Sequence, residues 1–228
     1  MRINEVFFSI QGEGKLAGVP SAFIRTTGCN LRCTWCDSPG TSWSPTGTAQ
    51  SVDELLERLS DFPTRYVVLT GGEPLLANEV EALTRDIRAA GYHLTIETAA
   101  TVWRDVQCDL ASVSPKLGNS TPWLREGGRY ADRHEATRLN VEVIRRFQQF
   151  DDYQVKFVVS TPDDLAEIDL LLAQLGDYEA ENVLLMPEGV TMESLSERGL
   201  WIAEICKTRG FRFCPRLHIA LYGHQAGT

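Results

Sequence analysis

The sequence predicts an α/β fold in which parallel strands alternate with crossover helices. Short runs rich in branched and aromatic residues are separated by longer stretches whose apolar residues recur every three or four positions, which is typical of a parallel sheet. The length of 228 residues and the hydrophobic content of 43% suit one α/β domain or barrel with a sizeable core. No internal repeat or long linker interrupts the pattern, so we expect a single domain over residues 1–228.

Seven short runs are predicted as strands because they are rich in β-branched and aromatic residues. In chain order they cover residues 21–26, 66–70, 93–97, 110–113, 153–159, 182–186 and 211–214. Five stretches with helical periodicity fall between these runs, at residues 52–59, 78–90, 132–150, 162–175 and 192–208. In parallel sheets of this kind, ligands bind at the carboxyl ends of the strands.

Local capping signals support the helix boundaries. Ser51 and Glu54 form a capping-box pattern at the first helix, and Gly91 follows the second helix as a stop. Pro162 occupies a first-turn position of the fourth helix, where a proline is tolerated.

Two segments lack periodicity and are predicted as loops, residues 37–50 and residues 117–131. The second carries Trp123, Arg125 and Arg129 without a helical or strand pattern. A long loop inside a compact domain is often functional, so we treat residues 117–131 as a hypothetical lid.

The charge balance and the cysteine content limit the classes of function. With 22 basic and 31 acidic residues the chain has a formal net charge of −9, so we expect no nucleic-acid partner. The apolar run near the N-terminus is too short for a secretion signal or a membrane span, so we expect a soluble, cytoplasmic protein with no membrane partner. The six cysteines are then expected to be reduced thiols that can bind a metal.

Three of the cysteines fall within eight residues, in the segment Gly28-Cys29-Asn30-Leu31-Arg32-Cys33-Thr34-Trp35-Cys36-Asp37. A structural zinc ion normally takes four protein ligands, and no histidine or further cysteine lies nearby in the sequence to complete the set. Three thiolates suit a four-iron cluster, in which one iron lacks a protein ligand and is open to a cofactor with an amine and a carboxylate. An iron–sulfur cluster is therefore favoured, with a zinc site or unligated thiols as the alternative.

The spacing Cys29-x3-Cys33-x2-Cys36, with an aromatic residue before the last cysteine, resembles the signature of the radical S-adenosylmethionine superfamily. The resemblance implies a 4Fe-4S cluster held by these three cysteines, with S-adenosylmethionine bound at its open iron. It also implies cofactor contacts beside the last cysteine, in the turn at residues 70–74 and at residues 114–116, namely from Trp35, Asp37, Gly72, Glu73, Ser114 and Lys116. Glu97-Thr98 ends a further predicted strand, where contact with the ribose and a capping role fit equally well.

Residues outside that signature resemble the 7-carboxy-7-deazaguanine synthase family over most of the chain. The resemblance rests on Ser9-Ile10-Gln11-Gly12-Glu13-Gly14, Arg25, Cys36-Asp37-Ser38, Ser114-Pro115-Lys116-Leu117 and, more loosely, Arg216-Leu217-His218. It implies a shortened, modified (β/α) barrel that forms a homodimer. The implied reaction converts 6-carboxy-5,6,7,8-tetrahydropterin to 7-carboxy-7-deazaguanine with loss of ammonia, in queuosine and 7-deazapurine biosynthesis.

The same resemblance implies which residues bind the substrate and a magnesium ion. Gly12 and Glu13 would hydrogen-bond the amino and ring-nitrogen edge of the pterin, and Arg25 would pair with its carboxylate. The implied substrate set is Gln11, Gly12, Glu13, Arg25, Thr70 and His218. Ser38 takes the position of a magnesium-binding hydroxyl, where the family more often has threonine. No side chain is predicted as a catalytic residue, because the cofactor generates the radical, and the expected reductant is a flavodoxin or ferredoxin.

Two other functions fit parts of the sequence. A glycyl-radical-enzyme activase would share the cysteine spacing, but it acts on a protein, whereas residues 11–25 offer chemistry suited to a small carboxylated molecule. A non-enzymatic zinc-binding or electron-transfer module would use the cysteines structurally. Three histidines lie in no motif and are assigned no role: His93, His134 and His224.

Overall fold

One nine-stranded sheet organises the computed structural model, which describes residues 1–228. Its strands are β1 (Arg2–Ile10), β2 (Pro20–Thr26), β3 (Thr48–Ala49), β4 (Tyr66–Gly71), β5 (His93–Thr98), β6 (Leu110–Val113), β7 (Tyr153–Val159), β8 (Val183–Pro187) and β9 (Arg212–Phe213). They lie in the order β3-β1-β2-β4-β5-β6-β7-β8-β9, so the sheet has two edges and does not close into a complete barrel. Each neighbouring pair from β2 to β9 is parallel, and β1 runs antiparallel to both β2 and β3. The predicted α/β fold with parallel strands is confirmed.

Seven helices accompany the strands: α1 (Val52–Ser60), α2 (Val80–Ala89), α3 (Ala131–Thr137), α4 (Val141–Phe147), α5 (Asp164–Leu175), α6 (Met192–Arg209) and α7 (Leu217–Tyr222). The predicted capping box is present at α1, because Ser51 Oγ accepts the Glu54 N–H at 3.2 Å and the Glu54 carboxylate accepts the Ser51 N–H at 2.7 Å. Gly91 follows α2 with a φ of 83°, in the left-handed region that glycine adopts at helix ends.

Several elements differ from the sequence prediction. The single helix expected at residues 132–150 is two helices, because the chain breaks after α3 and Asn140 Oδ1 caps α4 by accepting the Val143 N–H at 3.2 Å. Strand β1 is not predicted from the sequence, because Asn4, Glu5 and Ser9 interrupt its apolar residues. Helix α5 begins at Asp164, two residues after the proline expected in its first turn.

The core lies between the sheet and its helices. Five of the core's fully buried side chains show its extent, with Ile24 on β2, Leu69 on β4, Phe157 on β7, Leu185 on β8 and Ile202 on α6. Because the strands from β2 to β9 are parallel, their carboxyl ends and the following loops meet at the same edge of the sheet. None of the seven helices combines the length and the apolar character that crossing a lipid bilayer requires.

Candidate active site

A cavity of about 580 Å³ opens at the carboxyl ends of the parallel strands. Seven strands, β1, β2 and β4 to β8, each contribute at least one residue to its wall, including Glu5, Arg25, Thr70, Glu97, Ser112, Lys156 and Met186. Every site residue predicted from the sequence except Glu73 lines the same cavity. The structure therefore brings together residues as far apart in the sequence as Gln11 and His218.

The cysteine loop, residues 29–36, follows β2 and forms part of the cavity wall. Cys33 is buried, and Cys29 and Cys36 are partly buried and pack with it against Leu31 and Ala99. Burial raises the pKa of Cys29 to about 11 and that of Cys33 to about 12. These thiols are therefore protonated at neutral pH, and binding a metal centre must displace their protons.

The three thiols of this loop fit an iron–sulfur cluster. All three are free, all three face one cavity, and soft thiolates are the ligands that such clusters take in proteins. No three or more histidine, cysteine, aspartate or glutamate side chains are grouped around a point where one metal ion could bind. The assignment of Cys29, Cys33 and Cys36 as cluster ligands therefore rests on the donor chemistry, the shared cavity and the sequence motif.

His134, to which the sequence analysis assigns no role, holds the cysteine loop. Its side chain is buried, and its Nδ1 accepts the backbone N–H of Arg32 at 3.0 Å. Burial lowers the pKa of His134 to about 4, so the ring is neutral at pH 7. Nδ1 is then the unprotonated nitrogen, and Nε2 donates its proton to Ser120 Oγ at 2.9 Å.

Gly72 and Glu73 lie where β4 meets the cysteine loop. A Cβ at Gly72 would stand 2.3 Å from the carbonyl oxygen of Gly28 and 2.8 Å from Cys29 Cβ, so this contact requires glycine. The carboxylate of Glu73 turns away from the cavity and accepts hydrogen bonds from Thr98 Oγ1 at 2.7 Å and from the Ala99 N–H at 2.9 Å. Glu73 thus links the turn after β4 to the residues at the end of β5. Its contact with a cofactor ammonium group stays a prediction.

Ser114 and Lys116 form the polar pair that the sequence predicts. Lys116 Nζ donates to both the carbonyl oxygen and Oγ of Ser114 at 2.8 Å. The same ammonium group lies 6.0 Å from the centre of the Trp35 ring, whose Nε1 donates to Asn119 Oδ1 at 3.2 Å. A fixed hydroxyl beside a fixed cation can bind a carboxylate next to the cysteine loop.

Gly12 and His218 are in direct contact. A Cβ at Gly12 would lie 1.8 Å from His218 Nδ1, and the carbonyl oxygen of Gly12 accepts the Leu217 N–H at 2.9 Å. Glycine at position 12 is what lets α7 approach the N-terminal segment. Burial lowers the pKa of His218, so its ring is neutral near pH 7.

Glu13 lies in a buried charge network that the sequence analysis missed. Its carboxylate pairs with Lys156 Nζ and, at 3.0 Å, with Arg216 Nε, and the same guanidinium pairs with Asp37. Burial alone would raise the pKa of Glu13, but the cations of Lys156 and Arg216 hold that pKa well below its usual range. A lysine inside the mostly apolar strand β7 was the available signal, because a buried charge is rarely left unpaired.

Gln11, Thr70 and Glu97 form a second polar group in the cavity. Glu97 accepts from Gln11 Nε2 at 3.1 Å and from Thr70 Oγ1 at 2.9 Å. The backbone N–H of Glu13 donates to Gln11 Oε1 at 3.1 Å, so the amide of Gln11 is held at both its oxygen and its nitrogen. The sequence left open whether Glu97 contacts a ribose or caps a structural element. In the structure it orients Gln11 and Thr70, two of the predicted substrate-binding residues.

Arg25 and Ser38 are neighbours on another part of the wall. Arg25 Nε donates to Glu5 Oε1 at 2.7 Å, and its Nη1 lies 3.4 Å from Ser38 Oγ. Ser38 Oγ also donates to Asp37 Oδ1 at 3.1 Å. One guanidinium edge is therefore occupied by a carboxylate of the protein, and the groups around Ser38 are oxygen donors of the kind that hard cations accept.

Two segments near the site differ from the sequence expectation. No residue between positions 117 and 131 lines the cavity, so the structure gives this segment no contact as a lid over it. Residues 224–228 do line it, and His224 Nε2 lies 3.0 Å from the backbone oxygen of Asp37. The C-terminal residues 224–228 therefore form part of the cavity wall, and residues 117–131 do not.

Comparison with known proteins identifies the relatives of this chain. The radical SAM superfamily model matches residues 23–114. The chain is 47% identical to a 7-carboxy-7-deazaguanine synthase of Halobacterium salinarum, over 99% of this chain and 92% of that protein. It is 44% identical to the enzyme of the same name from Rhodopirellula baltica, over 99% and 88% of the two chains. The crystal structure of QueE from Escherichia coli superposes with a TM-score of 0.70 at 28% identity, covering 95% of this chain and 94% of that one. The chain belongs to the 7-carboxy-7-deazaguanine synthase family of radical S-adenosylmethionine enzymes.

Proposed function

We propose that this protein is a radical S-adenosylmethionine lyase that converts 6-carboxy-5,6,7,8-tetrahydropterin to 7-carboxy-7-deazaguanine with loss of ammonia. The observation that carries the proposal is that one cavity joins the three thiols of the cysteine loop to the polar groups of Gln11, Glu13 and Arg25. A radical generated beside the thiols would therefore meet a small polar substrate without crossing solvent.

Cys29, Cys33 and Cys36 would hold the 4Fe-4S cluster, and the surrounding residues would hold S-adenosylmethionine. When bound, these two groups supply the radical chemistry that removes a hydrogen atom from C6 of the pterin. Gly72 leaves its backbone accessible beside Cys29, and the Ser114–Lys116 pair offers a hydroxyl and an ammonium group for the carboxylate of the cofactor. Trp35 and Asp37 line the same part of the wall.

The substrate residues would bind and orient the pterin. Glu13 is ionised because Lys156 and Arg216 pair with it, so its carboxylate can accept N–H groups from the amino and ring-nitrogen edge of a pterin. Arg25 would pair with the carboxylate of the substrate through the guanidinium nitrogens that Glu5 does not occupy. Gln11, Gly12, Thr70 and His218 complete the pocket that excludes water around the ring.

The proposal extends to three further features. Ser38, with Asp37 beside it, would contribute oxygen ligands to a magnesium ion that also contacts the substrate. A low-potential flavodoxin or ferredoxin would supply the electron. The active protein would be a homodimer of single-domain chains, each acting on a small molecule.

The test is anaerobic reconstitution with iron and sulfide, followed by incubation with S-adenosylmethionine, dithionite, magnesium and the carboxylated tetrahydropterin. Mass spectrometry should detect 7-carboxy-7-deazaguanine, and Cys29→Ala, Cys33→Ala and Cys36→Ala should each abolish cofactor cleavage. Cys206→Ala, which alters a buried thiol of α6 outside the cavity, is the matched control and should keep activity. Zinc without iron in the purified protein, or full activity in any of the three loop variants, would contradict the proposal.

A further inference from the structure

Residues 117–131 pack against the cysteine loop instead of covering the cavity. The backbone N–H of Thr34 donates to the carbonyl oxygen of Ser120 at 2.7 Å. Arg125 Nη1 returns a bond to the carbonyl oxygen of Thr34 at 3.0 Å. The segment is therefore fixed to the loop that carries the three thiols, and the function proposed above leaves it without a role.

The tip of this segment exposes large apolar side chains. Leu124 is 94% exposed, and Trp123 beside it is 57% exposed. The turn that presents them is tight, because a Cβ at Gly128 would lie 2.9 Å from the carbonyl oxygen of Trp123. Adjacent exposed apolar side chains on a well-packed turn are typical of a protein-binding surface.

Arginines surround this tip and form one cluster with two aromatic rings. Arg32 and Arg129 both lie over the Tyr130 ring, at 5.4 and 5.3 Å from its centre, and Arg125 lies 3.9 Å from the centre of the Trp43 ring. The two rings are in edge contact at 5.7 Å. The three guanidinium groups therefore belong to one continuous patch.

The charge of this patch is opposite to that of the whole chain. Arg32, Arg125, Arg129 and the exposed Arg133 form no ion pair with a carboxylate of the protein. The acidic residues within the segment and α3 are Glu126, Asp132 and Glu135, and Glu135 pairs with Arg138. The four unpaired arginines therefore outnumber the two remaining carboxylates, in a protein whose net charge is −9. Unpaired arginines beside exposed aromatic and aliphatic groups attract an acidic protein surface.

We propose that Arg32, Trp123, Leu124, Arg125, Arg129 and Arg133, here called the arginine patch, form the docking surface for an acidic one-electron donor protein. The proposal rests on the function proposed above, because it names the surface on which the electron donor of the iron–sulfur cluster would bind. Trp43, whose ring lies under Arg125, donates from Nε1 to the carbonyl oxygen of Cys33 at 3.0 Å. Arg32 Nη1 donates to the carbonyl oxygen of Cys29 at 2.7 Å. A donor seated on the patch is thus separated from two of the cluster ligands by a single layer of side chains.

The docking role explains why the patch is both charged and small. Transient electron-transfer contacts bury little surface and depend on complementary charge to reach a productive orientation. A donor with an acidic face would be repelled by most of this chain and attracted by the patch. Its encounter with the protein would consequently be directed to the cysteine loop.

The test compares a reduced flavodoxin, an acidic flavin protein, with dithionite as the electron donor to the reconstituted holoenzyme. The Arg129→Glu/Arg133→Glu double variant changes two exposed side chains that do not line the cavity. We expect kcat/KM for flavodoxin to fall about tenfold or more, while the dithionite-driven rate stays at the wild-type level. The Arg85→Glu/Arg212→Glu variant, with the same change of charge on α2 and β9, should retain at least about half of the flavodoxin-driven rate.

A second variant tests the apolar part of the patch. Leu124→Ser removes the most exposed large apolar side chain and should weaken flavodoxin binding to the holoenzyme in titration calorimetry by about threefold or more. Equal losses in the patch and control double variants, or a parallel loss with dithionite, would overturn the docking proposal. A wild-type enzyme that turns over with dithionite but not with flavodoxin would refute this proposal alone, whereas failure with both donors would refute the proposed function.

Discussion

Lys156→Gln tests the buried charge network in depth, because it removes one of the two cations that Glu13 contacts. The side chains of Lys156 and Glu13 are only 6% and 14% exposed, so water cannot replace the lost ammonium group. The remaining cation, Arg216, also pairs with Asp37. In the variant, the buried Glu13 would share one guanidinium group with Asp37, whose side chain is 39% exposed.

The expected cost follows from this burial. Removing one partner of a buried ion pair typically costs about 3–5 kcal/mol of folding free energy, against about 1 kcal/mol or less for an exposed pair. Because Arg216 still compensates Glu13 in part, we expect about 3 kcal/mol, which is roughly a hundredfold change in the folding equilibrium. We also expect KM for the pterin to rise, because Glu13 would lose one of the two cations that hold its carboxylate in position.

The pH dependence of this effect has a defined sign. The folded-state pKa of Glu13 lies below its usual value of 4.5, so the stability from its ionised form is present above that value and is lost as pH falls through the folded pKa. Lys156→Gln removes a cause of that lowered pKa. The difference in stability between wild type and variant should therefore be full at neutral pH and narrow as the pH falls below 4.5.

Urea denaturation of the anaerobic holoenzyme at several pH values measures the stability, and steady-state kinetics measures KM. Lys156→Arg keeps the charge and should retain more stability than the glutamine variant. Lys15→Gln removes a lysine whose partner, Asp152, is half exposed, and should cost about 1 kcal/mol or less. A Lys156→Gln protein within about 0.5 kcal/mol of wild type and with unchanged KM would refute the reasoning.

Three further predictions concern single contacts. Gly12→Ala should raise KM for the pterin strongly, because the new Cβ would collide with His218. Gly199→Ala is the control, because its Cβ would meet only ordinary contacts and should leave KM unchanged. Equal KM values in the two variants would contradict this prediction. Arg25→Ala should raise KM for the pterin with a smaller change in kcat, and an unchanged KM would place the carboxylate clamp elsewhere. His134→Ala should lower the free energy of unfolding by about 1–3 kcal/mol and reduce the iron content after reconstitution, because the Arg32 N–H loses its acceptor. Full iron loading at wild-type stability would show that the cysteine loop keeps its conformation without His134.

The sequence predicts much of the fold because the buried parallel strands carry continuous branched and aromatic runs. Strands β6 and β7 match their predicted bounds, and the other five predicted strands are found with ends that differ by at most one residue. Strand β1 is not predicted because it is an antiparallel strand in which the polar residues Asn4, Glu5 and Ser9 interrupt the apolar ones. The break between α3 and α4 escapes it because apolar periodicity continues across residues 138–140.

The same distinction between local and long-range features decides which site residues can be predicted from the sequence. Motifs that act within a short stretch, such as the cysteine loop and the Ser114–Lys116 pair, can be read directly from spacing. The roles of Lys156 and Glu97 could not be predicted in this way, because the side chains that they contact depend on the order of the strands in the sheet. The lid expected at residues 117–131 had no such support, since lack of periodicity indicates a loop but not the surface on which it packs.

The pairing of Glu13 with Arg216, 203 residues later in the chain, gives the site an order of assembly. At about 5–20 residues per second, a ribosome needs roughly 10–40 s to pass from one partner to the other. The contacts that hold the cysteine loop, from Gly72 to His134, come from residues made well before Arg216. The residues that hold the thiol loop are therefore all synthesised before Arg216, which completes the charge network of the proposed pterin pocket.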